Sequence, residues 1–162
     1  MKNMEDRGVT KPKLPIGIQS FEKIRSGGFA YVDKTPYIAR MASGACAWFL
    51  SRPRRFGKSL LVDTLDCAFS GRRELFQGLF LDQPESEWDW TKNHPVIRID
   101  FAEGKADNPT EFKARLHSLI DTWVEQWGAR TTKGSPGMRL ADLVRHIHAS
   151  TGKQVVVLAD EY

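Results

Sequence analysis

A chain of 162 residues is enough for about one domain with its own core, and 41% hydrophobic with 27% charged residues is ordinary globular usage. The balance of 24 basic against 20 acidic residues, a net +4, is too mild by itself to imply nucleic acid. Apolar runs at 45–50 and 155–159 fall far short of a membrane span, the polar start lacks a signal-peptide core, and Cys46 and Cys67 form neither a CxxC pair nor a metal cluster; a cytoplasmic protein with free thiols and no membrane partner is expected.

Residues 1–13 are charged and aperiodic and read as a mobile arm, with the domain proper at 14–162. Phe21 and Ile24 supply apolar content, Ser26-Gly27-Gly28 a turn, and residues 29–32 a short strand. The next helix is expected to be capped by Thr35, started by Pro36 and ended at Gly44.

Residues 47–50 then read as an apolar strand running through Ser51-Arg52-Pro53-Arg54-Arg55-Phe56 into Gly57-Lys58-Ser59, where a helix with Leu60, Leu61, Leu65 and Phe69 at helical spacing opens. Strand, basic turn and helix N-terminus are the context in which the GxxxxGK[ST] pattern binds phosphate. Main-chain N–H groups from Arg54 to Leu60 would face the phosphates, where the helix dipole also favours negative charge. Gly57 would let the backbone approach closely, Lys58 would reach the β- and γ-phosphates, and Ser59 would ligate Mg²⁺. The pattern's first glycine falls on Arg52, so the loop must turn differently, with Pro53 fixing one φ. Residues 52–73 hold six basic and two acidic side chains, an excess as large as that of the whole chain.

Gly71 is the expected stop of this helix. Residues 72–81 read as a brief amphipathic piece, and Trp88 and Trp90 as residues buried against a sheet rather than stacked on a base. Residues 96–101 form a strand. Asn108, Pro109 and Glu111 mark a capped helix start, and Phe112, Leu116, Leu119, Ile120, Trp123, Val124 and Trp127 share one face before Gly128. A loop over 130–137 leads to a last helix ending at Gly152. His94, His117, His146 and His148 have no ligand-like spacing and read as structural or surface residues.

Residues 154–160 then form an apolar strand, expected to be buried on both faces, that ends in Asp160 and Glu161. An acid pair at the C-terminal edge of a parallel sheet suits Walker B, with Asp160 holding Mg²⁺ through water and Glu161 orienting or deprotonating the attacking water. A core strand that merely ends in a polar loop is the plainer alternative, and it is weakened by Gly57-Lys58-Ser59 about a hundred residues earlier.

The Leu14-Pro15-Ile16-Gly17 segment, Tyr31-Val32-Asp33-Lys34-Thr35, the Ser51-Arg52-Pro53-Arg54-Arg55-Phe56-Gly57-Lys58-Ser59 loop and the terminal strand resemble the AAA-ATPase-like family of bacteria. The resemblance implies an α/β fold, a P-loop NTPase-like three-layer sandwich with a mainly parallel sheet, here incomplete at the C-terminus. It also implies an arginine-rich Walker A in which Arg52 is regular, ATP and Mg as cofactors, and ATPase activity with Lys58 and Glu161 as catalytic residues. Turnover is expected to be impaired in a fragment that ends at the acids. Arg54 and Arg55 can serve phosphate, a neighbouring subunit of a homo-oligomer or nucleic acid, or can simply form a solvated turn. Members often continue into a nuclease-like PD-(D/E)xK domain, a further route to nucleic acid. The alternative function is a nucleic-acid-associated binding module with vestigial hydrolysis.

Overall fold

The computed structural model describes residues 12–44, 47–51, 53, 56–101 and 108–160. In chain order these form α1 (Phe21–Ser26), α2 (Thr35–Ala42), α3 (Lys58–Phe69), three short 3-10 turns at Arg73–Phe76, Phe80–Asp82 and Pro84–Ser86, β1 (Val96–Asp100), α4 (Pro109–Gln126), α5 (Pro136–Thr151) and β2 (Val156–Asp160).

β1 and β2 pair in parallel, with Val96 opposite Val156 and Asp100 opposite Asp160. Successive side chains on a strand point to opposite faces. Ile97 and Ile99 therefore meet Leu143 and Ile147 of α5 on one face, while Arg98 meets Asp63 of α3 on the other. The sheet thus carries helices on both faces, as an α/β fold requires, and two strands are described.

Two expected strand features differ. Residues 47–50 are not a strand: Trp48, Phe49 and Leu50 are 55, 72 and 38% exposed, because no described strand lies alongside to accept their backbone hydrogen bonds. β2 is not buried on both faces either, since Val157 is 43% exposed and Ala159 is also exposed. Val157 and Ala159 alternate along the strand and so share the face that is left partly open, while Leu158 and Asp160 turn to the other.

A second core lies on the α3 side of the sheet, where Leu158 of β2 packs on it. Phe21, Ile38, Ala68, Phe76 and Leu81 are fully buried together, brought in from α1, α2, α3 and the 3-10 turns. Trp88 and Trp90 join this cluster through Phe69 and Phe76, with ring centroids 5.3 and 5.0 Å apart, and so share it with Leu158. Polar clamps hold the turns in place. Arg25 donates to the Leu75 and Gln77 carbonyls at 2.8 and 2.6 Å, and Arg72 forms two 2.8 Å bonds to Glu22.

Helix ends follow local chemistry closely. Asn108 caps α4 by accepting from the Glu111 N–H at 2.9 Å, and Ser135 caps α5, which begins at Pro136 inside the expected loop. Gly152, at φ +68°, ends α5. Thr35 does not cap α2. Asp33 accepts the Thr35 N–H at 2.8 Å, and the Thr35 hydroxyl, fully buried, accepts the Leu81 N–H at 3.0 Å. α2 runs to Ala42 with Ser43 as its C-cap, and Gly44 follows directly. Residues 29–32 reduce to a single bridge between Phe29 and Lys13.

Candidate functional site

The site is built where α3 leans on the sheet. Gly57 precedes α3 with φ +73° and ψ +32°, the left-handed conformation that strains any residue with a Cβ. The chain thereby turns sharply out of the basic loop, and Lys58 and Ser59 become the first two residues of the helix. α1, α4 and α5 have side-chain caps from Ser20, Asn108 and Ser135, while the Lys34 side chain does not cap α2. Among the described residues no side chain caps α3. Its first-turn N–H groups therefore have no side-chain acceptor among the described residues, at the positive end of its dipole.

Phe56 is 58% exposed at the lip of this turn, while Gly57, Lys58, Ser59 and Leu60 are half-buried. Leu60 also packs on the aromatic core, which fixes the helix on its inner side. Arg52, Arg54, Arg55 and Glu161, all named from the sequence, lie outside the described residues.

Asp160 closes β2 and is 4% exposed. Its surroundings contain three residues that the sequence reading did not assign to the site. Arg98 of β1 donates to Asp63 of α3 at 2.7 Å and places its other nitrogen 4.0 Å from the Asp160 carboxylate. Asp63 also accepts the Phe21 N–H at 2.7 Å, so one carboxylate ties α1 and α3 to the strand beside Asp160. Asp100 stands directly opposite Asp160 in the parallel register, on the same face. Two strands of similar sequence, each apolar and each ending in an aspartate, were the available signal for Asp100. Arg98 and Asp63 carried none, because their pairing depends on how a helix crosses a strand.

The lysine of the Val32-Asp33-Lys34-Thr35 segment also reaches this region. Its ammonium lies 3.7 Å from where a Cβ on Gly57 would stand.

Cys67, one helical face away on α3, is buried, and burial together with Asp63 and Asp66 pushes its thiol up to about 12. Among the described residues no group of three or more His, Cys, Asp or Glu converges as a metal cage. The donor set present is a hydroxyl at Ser59 and a carboxylate at Asp160. It fits a Mg²⁺ ion that takes most of its ligands from phosphate and water. His94 and His148 bond main-chain carbonyls at 3.1 and 2.8 Å and His117 faces Arg139, which agrees with structural roles.

A parallel sheet flanked by helices, with a glycine-turned lysine and serine opening one of them, makes the chain an α/β protein. The chain belongs to the AAA-ATPase-like family, described as "Predicted AAA-ATPase", which matches residues 15–162. It is 42% identical over 155 residues to a protein of Azotobacter chroococcum mcd 1 described as "Uncharacterized protein in vnfD 5'region", an alignment that takes in 95% of this chain and 30% of that protein. The chain thus spans about a third of that relative's length. No solved structure matches it. No described helix is long and apolar enough to cross a membrane.

Proposed function

We propose that this chain binds ATP with Mg²⁺ at the N-terminus of α3 and forms the nucleotide half of an ATPase. The observation that carries this reading is the start of α3: a left-handed glycine, then Lys58 and Ser59, on a helix without a side-chain cap among the described residues. A neutral surface turn has no need of an uncapped helix end with a lysine in its first turn, whereas a phosphate chain satisfies both the N–H groups and the dipole.

In this reading the main chain from Phe56 to Leu60, with Arg54 and Arg55, cradles the phosphates. Lys58 offsets the charge that develops on the phosphoryl oxygens during transfer to water. Ser59 and Asp160 would hold the metal, which supplies charge neutralisation across the β- and γ-phosphates. Glu161 would orient the attacking water and accept its proton. Arg98 and Asp63 are positioning residues that fix the Asp160 carboxylate relative to α3.

Titration calorimetry of Mg²⁺-ATP against wild type and Lys58→Ala at fixed salt tests it. Saturable binding that weakens more than about a hundredfold in the mutant is the expected result, since the lysine–phosphate contact is charge-assisted and poorly solvated. Equal affinity in the two proteins refutes the reading. A second reading, nucleic-acid binding by the same loop, draws on the exposed aromatic rings of Trp48, Phe49 and Phe56, which flank the arginines in the sequence. It requires steeply salt-dependent binding of single-stranded nucleic acid that survives Lys58→Ala.

A further inference from the structure

Lys34 stands between two residues that clamp α2 to the turns after α3. Asp33 accepts the N–H groups of Thr35 and Phe80 at 2.8 and 2.7 Å, and Thr35 accepts that of Leu81 at 3.0 Å. The backbone at residue 34 is therefore held on both sides, while its own side chain is exposed. That side chain crosses to another element. Its ammonium lies beside Gly57, 3.7 Å from a built Cβ, and it makes no ion pair among the described residues.

A cation in this place finds no attraction from α3 in the empty protein. It faces the positive end of the α3 dipole and adds to the charge of Lys58 in the next residue of the loop. The arrangement becomes favourable when an anion lies between the two ammonium groups. An exposed lysine elsewhere on α2 would gain nothing from being anchored at both neighbours, since its long stem otherwise keeps its rotamer freedom.

Building on the nucleotide reading above, we propose that Lys34 is a second phosphate ligand, delivered from the N-cap of α2 to the phosphates seated on the main chain of Gly57, Lys58 and Ser59. The site is then a two-lysine clamp on a polyphosphate, one lysine inside the loop and one outside it. Asp33 and Thr35 are its positioning residues. The clamp recognises charge rather than base, so inorganic tripolyphosphate should occupy it as well as ATP does.

The test is calorimetric titration of Mg²⁺-ATP and of tripolyphosphate into wild type, Lys34→Ala, Lys34→Arg and Lys58→Ala, with thermal melts of each protein without ligand. Lys34→Ala should weaken both ligands roughly tenfold to a hundredfold, the range of a charge-assisted hydrogen bond. Lys34→Arg should recover most of that loss, and both variants should melt with wild type, because the side chain is exposed. Unchanged ATP affinity in Lys34→Ala, alongside a loss in Lys58→Ala, overturns the second ligand and leaves the nucleotide site standing. A loss that arginine does not rescue and that comes with a lower melting temperature assigns Lys34 to the fold and overturns the clamp. A wild type that melts cooperatively but binds neither ligand overturns both the clamp and the nucleotide reading.

Discussion

The two cores of this protein are built on opposite plans. Around Phe21 and Phe76, α1, α2, α3 and the 3-10 turns converge and close completely, leaving Phe21, Ile24, Ile38, Ala68, Phe76 and Leu81 without exposure. Around the sheet, the most regular stripe in the sequence closes only in part. Ile97, Leu143 and Ile147 are fully buried, yet Phe112 and Val157 are 41 and 43% exposed. A cavity of about 230 Å³ remains between β1 and the two long helices, lined by Ile97, Ile99, Leu119, Trp123 and Leu140 among others. Regularity within one helix sets which face turns inward, but the depth of burial depends on how many elements converge on it. α3 belongs to the closed core and leans on the open one, and the candidate site occupies that seam.

The largest effect should come from attacking the closed side. Phe76→Ala removes a ring that touches Phe21 and Trp90 and is expected to cost about 3–5 kcal/mol in urea unfolding. Val157→Ala should cost under about 1 kcal/mol, since much of that side chain already meets solvent. Equal costs would break the comparison between the cores.

The polar clamps of the closed core come next. Thr35→Val keeps the shape but leaves the buried Leu81 N–H without its acceptor, which should cost about 2 kcal/mol. Thr132→Val, which removes an exposed hydroxyl bonded to Asp142, should cost about 0.5 kcal/mol or less. A smaller effect is expected at the seam. Arg98→Met removes the partner of Asp63 and a cation 4.0 Å from Asp160, at about 1–2 kcal/mol because the Asp63 pair is partly solvated and the Asp160 contact is long. A double-mutant cycle with Asp63→Asn should then recover a coupling of about 1 kcal/mol.

This ordering also explains what could be read from the residues alone. The start of α4 followed from Asn108, Pro109 and Glu111, and the end of α5 from Gly152, because caps and stops are decided within a few residues. Gly57, Lys58 and Ser59 were legible for the same reason. α1 was not, as six residues give no periodicity and its stability comes from Asp63, Arg72 and the aromatic rings. Residues 47–50 read as a strand because they are apolar, yet a strand exists only where a neighbour pairs with it. Lys34 was visible as part of a marked segment, but its approach to Gly57 depends on the Asp33 and Thr35 clamps, whose partners lie about 45 residues away.

Acid should separate carboxylates that are held from one that is merely buried. The bidentate Arg72 bonds lower the Glu22 pKa, and Thr132 bonds, with Arg145, lower that of Asp142. Each therefore contributes stability that is complete above the unfolded value near 4 and is lost as pH falls through the lower folded value. Asp66 has the opposite sign. Burial raises its pKa despite a bond from Ser70, so ionisation in the folded state is penalised once pH exceeds the raised value. Glu22→Gln should flatten the acid limb of the stability profile, whereas Asp66→Asn should raise the neutral-pH melting temperature slightly. Parallel profiles for the two variants would contradict these signs.

The smallest perturbation is a chemical label, and it compares the cores without weakening either. With its thiol pushed up to about 12 by burial and by Asp63 and Asp66, Cys67 carries almost no thiolate at pH 8, and the thiolate is the reacting species. Its alkylation by iodoacetamide then depends on opening of the closed core, because the unfolded thiol, with an ordinary value near 8.5, reacts readily. Peptide mass spectrometry should find Cys67 labelled slowly in native protein and rapidly in urea. A thiol introduced by Ala159→Cys on the exposed face of β2 should label rapidly in both. Phe76→Ala should accelerate Cys67 labelling by the factor its loss of stability dictates if opening is global, and should leave it unchanged if Cys67 reacts through a local fluctuation of α3. Labelling of native Cys67 as fast as the thiol introduced on β2 would show that the aromatic core is no tighter than the sheet.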